Sequence, residues 1–294
     1  MNVKFTKMHG AGNDFVFIEE WGHEVVPEKK KKDFVASVCD RHFGVGADGA
    51  VFVQKNGDNS ADAFFNYYNS DGSTAEMCGN GIRCFAKYLY EHGLVRKETI
   101  RANTRAGIKI LNLTVKGGLV TAVKVDMGPP QIRRGDAQMT QGESTTPAVN
   151  EPVKTKSGTF KVTAVGMGNP HAIVETDDAE SYDIRKAGAA VRYTTTVWPK
   201  GVNVHAIQQV GKNEYKIRTY ERGVEDETLA CGTGICASAV ASVLLKKSDP
   251  TRPILFHARG GDITVEFKVE KNNIVRVYLI GPAAEVFTGN YPST

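Results

Sequence analysis

One short phrase occurs twice, as Met77-Cys78-Gly79-Asn80-Gly81-Ile82 in the first half of the chain and as Ala230-Cys231-Gly232-Thr233-Gly234-Ile235 in the second. A phrase repeated at that distance points to an internal duplication, in which one structural unit is built twice. Behind each copy runs a pattern with helical spacing, so helices are predicted over Gly79 to His92 and Gly232 to Lys246, with two more over Pro27 to Cys39 and Ile184 to Arg192. Alternating or β-branched runs fill most of the rest. Strands are predicted at Phe15 to Ile18, Ala50 to Val53, Ala63 to Tyr68, Ile108 to Val115 and Val120 to Asp126. The second half repeats the habit at Phe160 to Val165, Ala172 to Glu175, Val202 to Gln208, Tyr215 to Tyr220, Ile254 to His257, Ile263 to Val269 and Ile274 to Leu279. Many strands and one strongly apolar helix per half predict an α+β fold of two pseudo-symmetric halves, each a curved, mostly antiparallel sheet wrapped around a central helix. Met127-Gly128-Pro129-Pro130 reads as the crossover between halves, with Gly135 to Asn150 as a polar, strandless loop.

Each C-G-x-G places its cysteine at a helix N-terminus. The first helical turn has backbone N–H groups without partners and carries the positive end of the helix dipole, so anions bind there and thiols ionise more easily. Glycines after the cysteine keep side chains away and let a small carboxylate approach those N–H groups. A thiolate beside a bound carboxylate is an arrangement for removing an α-proton. Two such units acting on one carbon, one thiol as base and the other as acid, would invert its configuration. Cys39, Cys84 and Cys236 lack that setting and read as small core residues.

The bulk properties narrow the alternatives. At 294 residues with 41% hydrophobic content, the chain can support two domains of ordinary size. The formal charge is only +4, and Lys29-Lys30-Lys31-Lys32 lies between Glu28 and Asp33, so the run reads as a solvated face and not as a nucleic-acid patch. Met1 to Lys7 lacks the apolar core of a signal peptide, and no apolar run approaches the roughly 18 residues of a membrane span. The reading is a cytoplasmic protein with no membrane or nucleic-acid partner. Five cysteines at these spacings fit neither a disulfide framework nor the paired ligands of a zinc site, so no metal is expected. Gly10-Ala11-Gly12 and Gly44-Val45-Gly46 do not complete a dinucleotide fingerprint and read as turns.

Further phrases surround the two cysteines: Met8-His9-Gly10-Ala11-Gly12-Asn13-Asp14-Phe15, the run Cys39 to Gly49, Asn69-Ser70-Asp71-Gly72-Ser73, Gly168-Asn169-Pro170-His171, Gly201-Val202-Asn203-Val204, and Tyr220-Glu221-Arg222-Gly223. In these residues, over nearly its whole length, the chain resembles the diaminopimelate epimerases, amino-acid isomerases that use no pyridoxal phosphate. The resemblance implies an active site in the cleft between the halves, no cofactor, and a small-molecule substrate, diaminopimelate, interconverted between its LL and meso forms. It also implies a last strand, Glu285 to Gly289, returning to the first half, so that residues 1–127 with 283–294 make one half and 128–282 the other. Epimerases of this type often pair as homodimers.

By the same resemblance Cys78 and Cys231 are the two bases. Gly79 and Asn80, with Gly232 and Thr233, donate to the reacting carboxylate as charge spreads onto it. Asn13, Asn69, Asn169 and Asn203 bind the zwitterionic ends, Glu221 takes an ammonium, and Arg222 takes a carboxylate. His171 and Glu221 bias the protons of the thiols. The remaining histidines, including His42 and His205, read as structural or surface residues. Two departures stand out: Gly49 replaces a polar Gln found in some members, leaving a distal contact absent or water-filled, and Val224 to Glu227 is one residue longer than the commonest version. The rival readings are a proline or hydroxyproline racemase-like isomerase, whose first motif has His where Asn80 stands, and a non-catalytic amino-acid binding protein of the same fold, which has no need of both cysteines.

Overall fold

Parallel neighbours in a sheet cannot be joined by a hairpin and need a crossover, commonly a helix. That rule accounts for all four helices of the computed structural model, which describes residues 2–292. The chain forms two compact units: one runs to Val125 and is completed from Gly281 onward, and the other is Asp126–Ile280. Residues 293 and 294, assigned above to the first half, lie outside the described residues, as does Met1.

The first unit contains β1 (Asn2–Gly10), β2 (Asn13–Glu20), β3 (Gly49–Gln54), β4 (Ala63–Asn69), β5 (Thr99–Thr104), β6 (Gly107–Lys116), β7 (Leu119–Gly128, its end reaching the second unit) and the C-terminal β17 (Ala284–Pro292). Their order is β17-β1-β2-β3-β4-β5-β6-β7. All joints are antiparallel except β2–β3 and β4–β5, which are bridged by α1 (Glu28–Val38) and α2 (Gly79–Glu91). The β1–β2 connection is the two-residue turn Ala11-Gly12, both residues at positive φ, which matches the twist of paired strands.

The second unit repeats the plan with β8 (Ala148–Thr155), β9 (Gly158–Gly166), β10 (Pro170–Glu175), β11 (Asn203–Gly211), β12 (Glu214–Glu221), β14 (Ile254–Ala258), β15 (Gly261–Glu270) and β16 (Asn273–Gly281). Again the joints are antiparallel except two, β10–β11 and β12–β14, bridged by α3 (Ile184–Arg192) and α4 (Gly232–Leu244). A short β13 (Asp226–Thr228) pairs with β12. The expected α+β architecture of two pseudo-symmetric halves therefore holds, and β17 occupies in the first unit the edge that β8 occupies in the second.

The second helix of each unit is its centre. Helix α2 is covered by β1, β2, β3, β6 and β17, and α4 by β9, β10, β11 and β15. Most residues of both helices are buried, and α4 is apolar on nearly every side. Phe85 and Leu89 are fully buried on α2 and each contributes roughly 1.5–3 kcal/mol of transfer free energy. The filling differs, since α4 presents Ala, Ser and Val where α2 presents Phe, Tyr and Leu. Arg83 of α2 is fully buried too: its Nε donates to the Pro282 carbonyl at 3.3 Å and its Nη1 to the Gly79 carbonyl at 3.0 Å, tying the first helical turn to the returning C-terminal segment.

Several local expectations need correction. Strands β1, β5 and β13 were not foreseen, and the stretch expected to be strandless to Asn150 already enters β8 at Ala148, where its backbone pairs with β9. The lysine run is not uniformly solvated. Lys31 is fully buried, its ammonium 3.1 Å from Glu20, 3.0 Å from Glu28 and 3.6 Å from Glu24, and 4.8 Å from the Phe52 ring. The helical period turns one lysine of the four inward, where carboxylates compensate its burial. No helix among the described residues is long and apolar enough to cross a membrane.

Candidate active site

Both cysteines of the repeated phrase are N-caps. Cys78 (φ −131°, ψ 117°) and Cys231 (φ −116°, ψ 109°) have extended backbones, and their carbonyls accept the first helical hydrogen bonds, from Ile82 and Ile235, each at 2.9 Å. Each sulfur thus stands at the positive end of a buried helix. Cys78 is half-buried, with the Gly81 N–H donating to its Sγ at 3.5 Å and its Sγ 3.7 Å from Asn13 Oδ1. Cys231 is buried, with its Sγ 3.6 Å from the Thr233 hydroxyl. The other three cysteines are buried, and burial pushes the thiols of Cys39 and Cys84 up to about 12.

In the first unit the structure brings Asn13, Cys78 and Asn80 together. Asn13 Oδ1 accepts from Asn80 Nδ2 at 3.4 Å, and Asn13 Nδ2 donates to Asp48. Asp48 belongs to an ionic cluster that sequence reasoning did not single out, although Asp14, Arg41 and Asp48 lie inside the quoted phrases. Arg41 Nη2 is 2.7 Å from Asp48 and 2.8 Å from Asp14, and Lys7 is 2.7 Å from Asp14. Burial raises the Asp14 carboxyl, but hydrogen bonds and charge from Arg41 and Lys7 outweigh it and bring it down to about 2. Asn69 ends β4 opposite Gly49, and its Nδ2 donates to the Ser73 hydroxyl at 3.0 Å. Gly49 leaves no room for a side chain: a Cβ there would lie 2.6 Å from the Tyr67 ring and 2.5 Å from the Tyr68 carbonyl.

In the second unit Asn169 and His171 meet, Asn169 Oδ1 lying 2.8 Å from His171 Nε2. His171 Nδ1 is 2.9 Å from His205 Nε2, and His205 Nδ1 is 3.0 Å from the Thr219 hydroxyl. Both imidazoles are fully buried. Burial, joined by the charges of His205 and Arg222, takes His171 well below its ordinary value, and burial takes His205 to about 3. His205 Cε1 would lie only 2.1 Å from a Cβ at Gly234, so the first turn of α4 has glycine there because an imidazole presses on it. Sequence reading passed over His205 and Thr219. The available signal was a histidine on an otherwise apolar strand, two residues beyond Asn203 and so on the same face.

Asn203 is buried with both ends of its amide used: Nδ2 donates to the Pro170 carbonyl at 3.1 Å, and Oδ1 accepts from the Arg222 N–H at 2.9 Å. It holds Arg222 in place. The Arg222 guanidinium donates to the Lys200 and Gly201 carbonyls, each at 3.3 Å, while burial and the nearby Arg192 charge lower its pKa. Glu221 accepts from the Thr228 hydroxyl at 2.9 Å. The loop after Arg222 closes as a turn pinned by Glu225 (φ +60°), whose carboxylate takes Arg192 at 2.7 Å, Tyr193 at 2.8 Å and the Gly223 N–H at 3.1 Å. Gly79, Asn80, Gly232 and Thr233 form the first turns of α2 and α4, where an anion finds N–H donors.

Comparison with known proteins places the chain in a family. A family model described as diaminopimelate epimerase matches residues 5–133 and 163–286. The chain is 43% identical over 293 residues to the diaminopimelate epimerase of Pelotomaculum thermopropionicum, with 99% of each covered, and 41% identical over 292 residues to that of Agathobacter rectalis, with 98% of each covered. Among solved structures of similar fold, a probable proline racemase from Agrobacterium radiobacter aligns with a TM-score of 0.72 at 14% identity, covering 99% of this chain and 93% of that one. A phenazine biosynthesis protein from Bacillus anthracis aligns with a TM-score of 0.71 at 16% identity, covering 100% of each. Those two likenesses concern the fold alone, whereas identity above 40% along nearly the full length reaches further: the chain belongs to the diaminopimelate epimerase family.

Proposed function

We propose that this isomerase inverts one α-carbon of 2,6-diaminopimelate, interconverting the LL and meso forms by a two-base mechanism in which Cys78 and Cys231 serve opposite faces of that carbon. One observation carries the reading: each unit caps its buried central helix with a cysteine followed by glycines, so that a sulfur and the N–H groups of a first helical turn stand side by side. One sulfur, as thiolate, takes the α-proton and becomes a thiol. The other, a thiol, delivers its proton to the opposite face and becomes a thiolate. The carbanionic charge spreads onto the α-carboxylate, where donors from Gly79, Asn80, Gly232 and Thr233 stabilise it.

The zwitterionic ends are held by Asn13, Asn69, Asn169 and Asn203, with Glu221 for an ammonium and Arg222 for a carboxylate. His171 is buried and neutral with both ring nitrogens engaged, by Asn169 and His205, so its influence on the proton inventory, shared with Glu221, runs through those partners and not through charge. The enzyme then works in the cytoplasm on a free small molecule, without cofactor, nucleic acid or membrane, and as a homodimer. Incubating the reduced protein with LL-diaminopimelate and resolving the isomers chromatographically is the test. Meso product is expected and L-proline should stay unracemised; turnover of proline alone would overturn the assignment.

A further inference from the structure

Thr219, His205, His171 and Asn169 form an unbroken hydrogen-bonded line within the second unit, with links of 3.0, 2.9 and 2.8 Å. The first three residues are buried and Asn169 is half-buried at the open end. The Asn169 amide presents its oxygen to His171, and that sets the direction of donation along the line. The amide oxygen of Asn169 can only accept, so His171 Nε2 carries the hydrogen. A neutral imidazole has one N–H, which leaves His171 Nδ1 as acceptor and His205 Nε2 as donor. His205 Nδ1 is then the acceptor for the Thr219 hydroxyl.

The fold does not require this line. His171 pairs with Asn203 across β10–β11 as Phe15 pairs with Gly49 across β2–β3, so Phe15, Val51 and Tyr67 stand in the first unit where His171, His205 and Thr219 stand in the second. There the layer is apolar and aromatic, with Phe15 edge-on to Tyr67 at 6.0 Å. Burying two imidazoles is unfavourable unless each nitrogen is paired, and here each one is.

We propose that the line is a positioning device: with the Asn169 oxygen turned toward His171, both imidazoles carry their hydrogen on Nε2 and the Thr219 hydroxyl turns to donate, and this unbroken run of partners keeps the Asn169 amide oriented with its NH₂ free to donate to a carboxylate of the bound amino acid. His205 is therefore a positioning residue that acts through two others. Only the identity of the ligand rests on the function proposed above. The tautomers themselves do not.

The test combines spectroscopy and kinetics. In protein labelled with ¹⁵N-histidine, long-range ¹H–¹⁵N spectra should show both His171 and His205 as Nε2–H tautomers, unchanged between about pH 6 and pH 8. His205→Gln preserves a donor toward His171 and an acceptor toward Thr219, and KM for LL-diaminopimelate should stay within about threefold of the parent. His205→Leu cuts the line and should raise KM by up to about tenfold, the worth of one neutral hydrogen bond, with a smaller change in kcat. An Nδ1–H tautomer on His171, or folded Gln and Leu variants with the same KM, would overturn the proposal. If the Leu variant does not fold, the tautomer measurement on the parent decides alone. A parent protein that shows the Nε2–H pattern but leaves diaminopimelate unchanged would keep the positioning device and sink only the proposed substrate.

Discussion

The two units share strand order, parallel joints, crossover helices and an N-cap cysteine, yet the layers beneath those cysteines are made of different matter. In the first unit Phe15 and Phe65 lie against the first turn of α2, with Phe65 stacked on Tyr67 at 5.7 Å. In the second, His205 presses on the first turn of α4 and is hydrogen-bonded on both sides. One scaffold therefore presents the same reactive group over an apolar floor and over a polar one. Duplication accounts for the common plan, and the difference shows which parts the plan leaves free to vary.

The largest expected effect concerns what the units share. Cys78→Ala and Cys231→Ala should each lower kcat/KM for epimerisation by about 10³-fold or more, because an acid or base is lost in either case. Cys84→Ala and Cys236→Ala, further along the same helices and buried, should remain active; a steady-state assay of the four variants separates the roles.

Next come the glycines at matching places. Gly234→Ala puts a Cβ 2.1 Å from His205 and should cost about 1–3 kcal/mol through overpacking, measured by denaturant unfolding. At Gly81 the nearest atoms would be 3.3 and 3.4 Å away, on Phe65 and Phe15, and the alanine gains helix propensity. Gly81→Ala should fall within about 1 kcal/mol of the parent. Equal costs at the two sites would remove the distinction between the floors.

Acid should separate the units as well. His205 binds a proton when unfolded near its ordinary 6.5 but, folded, only near 3, so its contribution is complete above 6.5 and is lost as pH falls toward 3. Asp14 has an ordinary value of 3.8 and a folded value of about 2, so its contribution is complete above 3.8 and is lost between 3.8 and 2. Melting temperatures against pH should show the parent losing ground to His205→Gln in the upper window. The advantage of the parent over Asp14→Asn should shrink only in the lower one.

The smallest effect concerns the loops after β4 and β12. Asp71 pins the first by accepting from the Ser73 N–H at 2.8 Å, and Glu225 pins the second, which carries Arg222. Glu225→Ala should raise KM a few-fold by loosening that loop, since a partly exposed ion pair contributes up to about 1 kcal/mol. Asp71→Ala should change KM less. Initial-rate measurements over a range of substrate concentrations compare them.

The duplication, the four helices and most strands were legible because hydrophobic period and the repeated phrase are local signals. Strand β5 escaped because Thr99 to Thr104 is short and mostly polar, and it buries Ile100 and Ala102 only once β4 and β6 flank it. β8 escaped because its polar run becomes a strand only through pairing with β9. At the site, the capping positions of Cys78 and Cys231 followed from glycine placement. The ties of Asn203 to Pro170 and Arg222, and the line through His205, join residues distant in sequence, so no window along the chain could display them.

The two-thiol account is tested most directly by isotope. With LL-diaminopimelate in deuterated water, halted at low conversion, the meso product should carry one deuterium at its inverted α-carbon while recovered LL substrate remains largely unlabelled, because the new hydrogen comes from a solvent-exchanged thiol on the opposite face. Meso product that retained the substrate's own α-hydrogen would mean that a single base returned it, and would contradict the account.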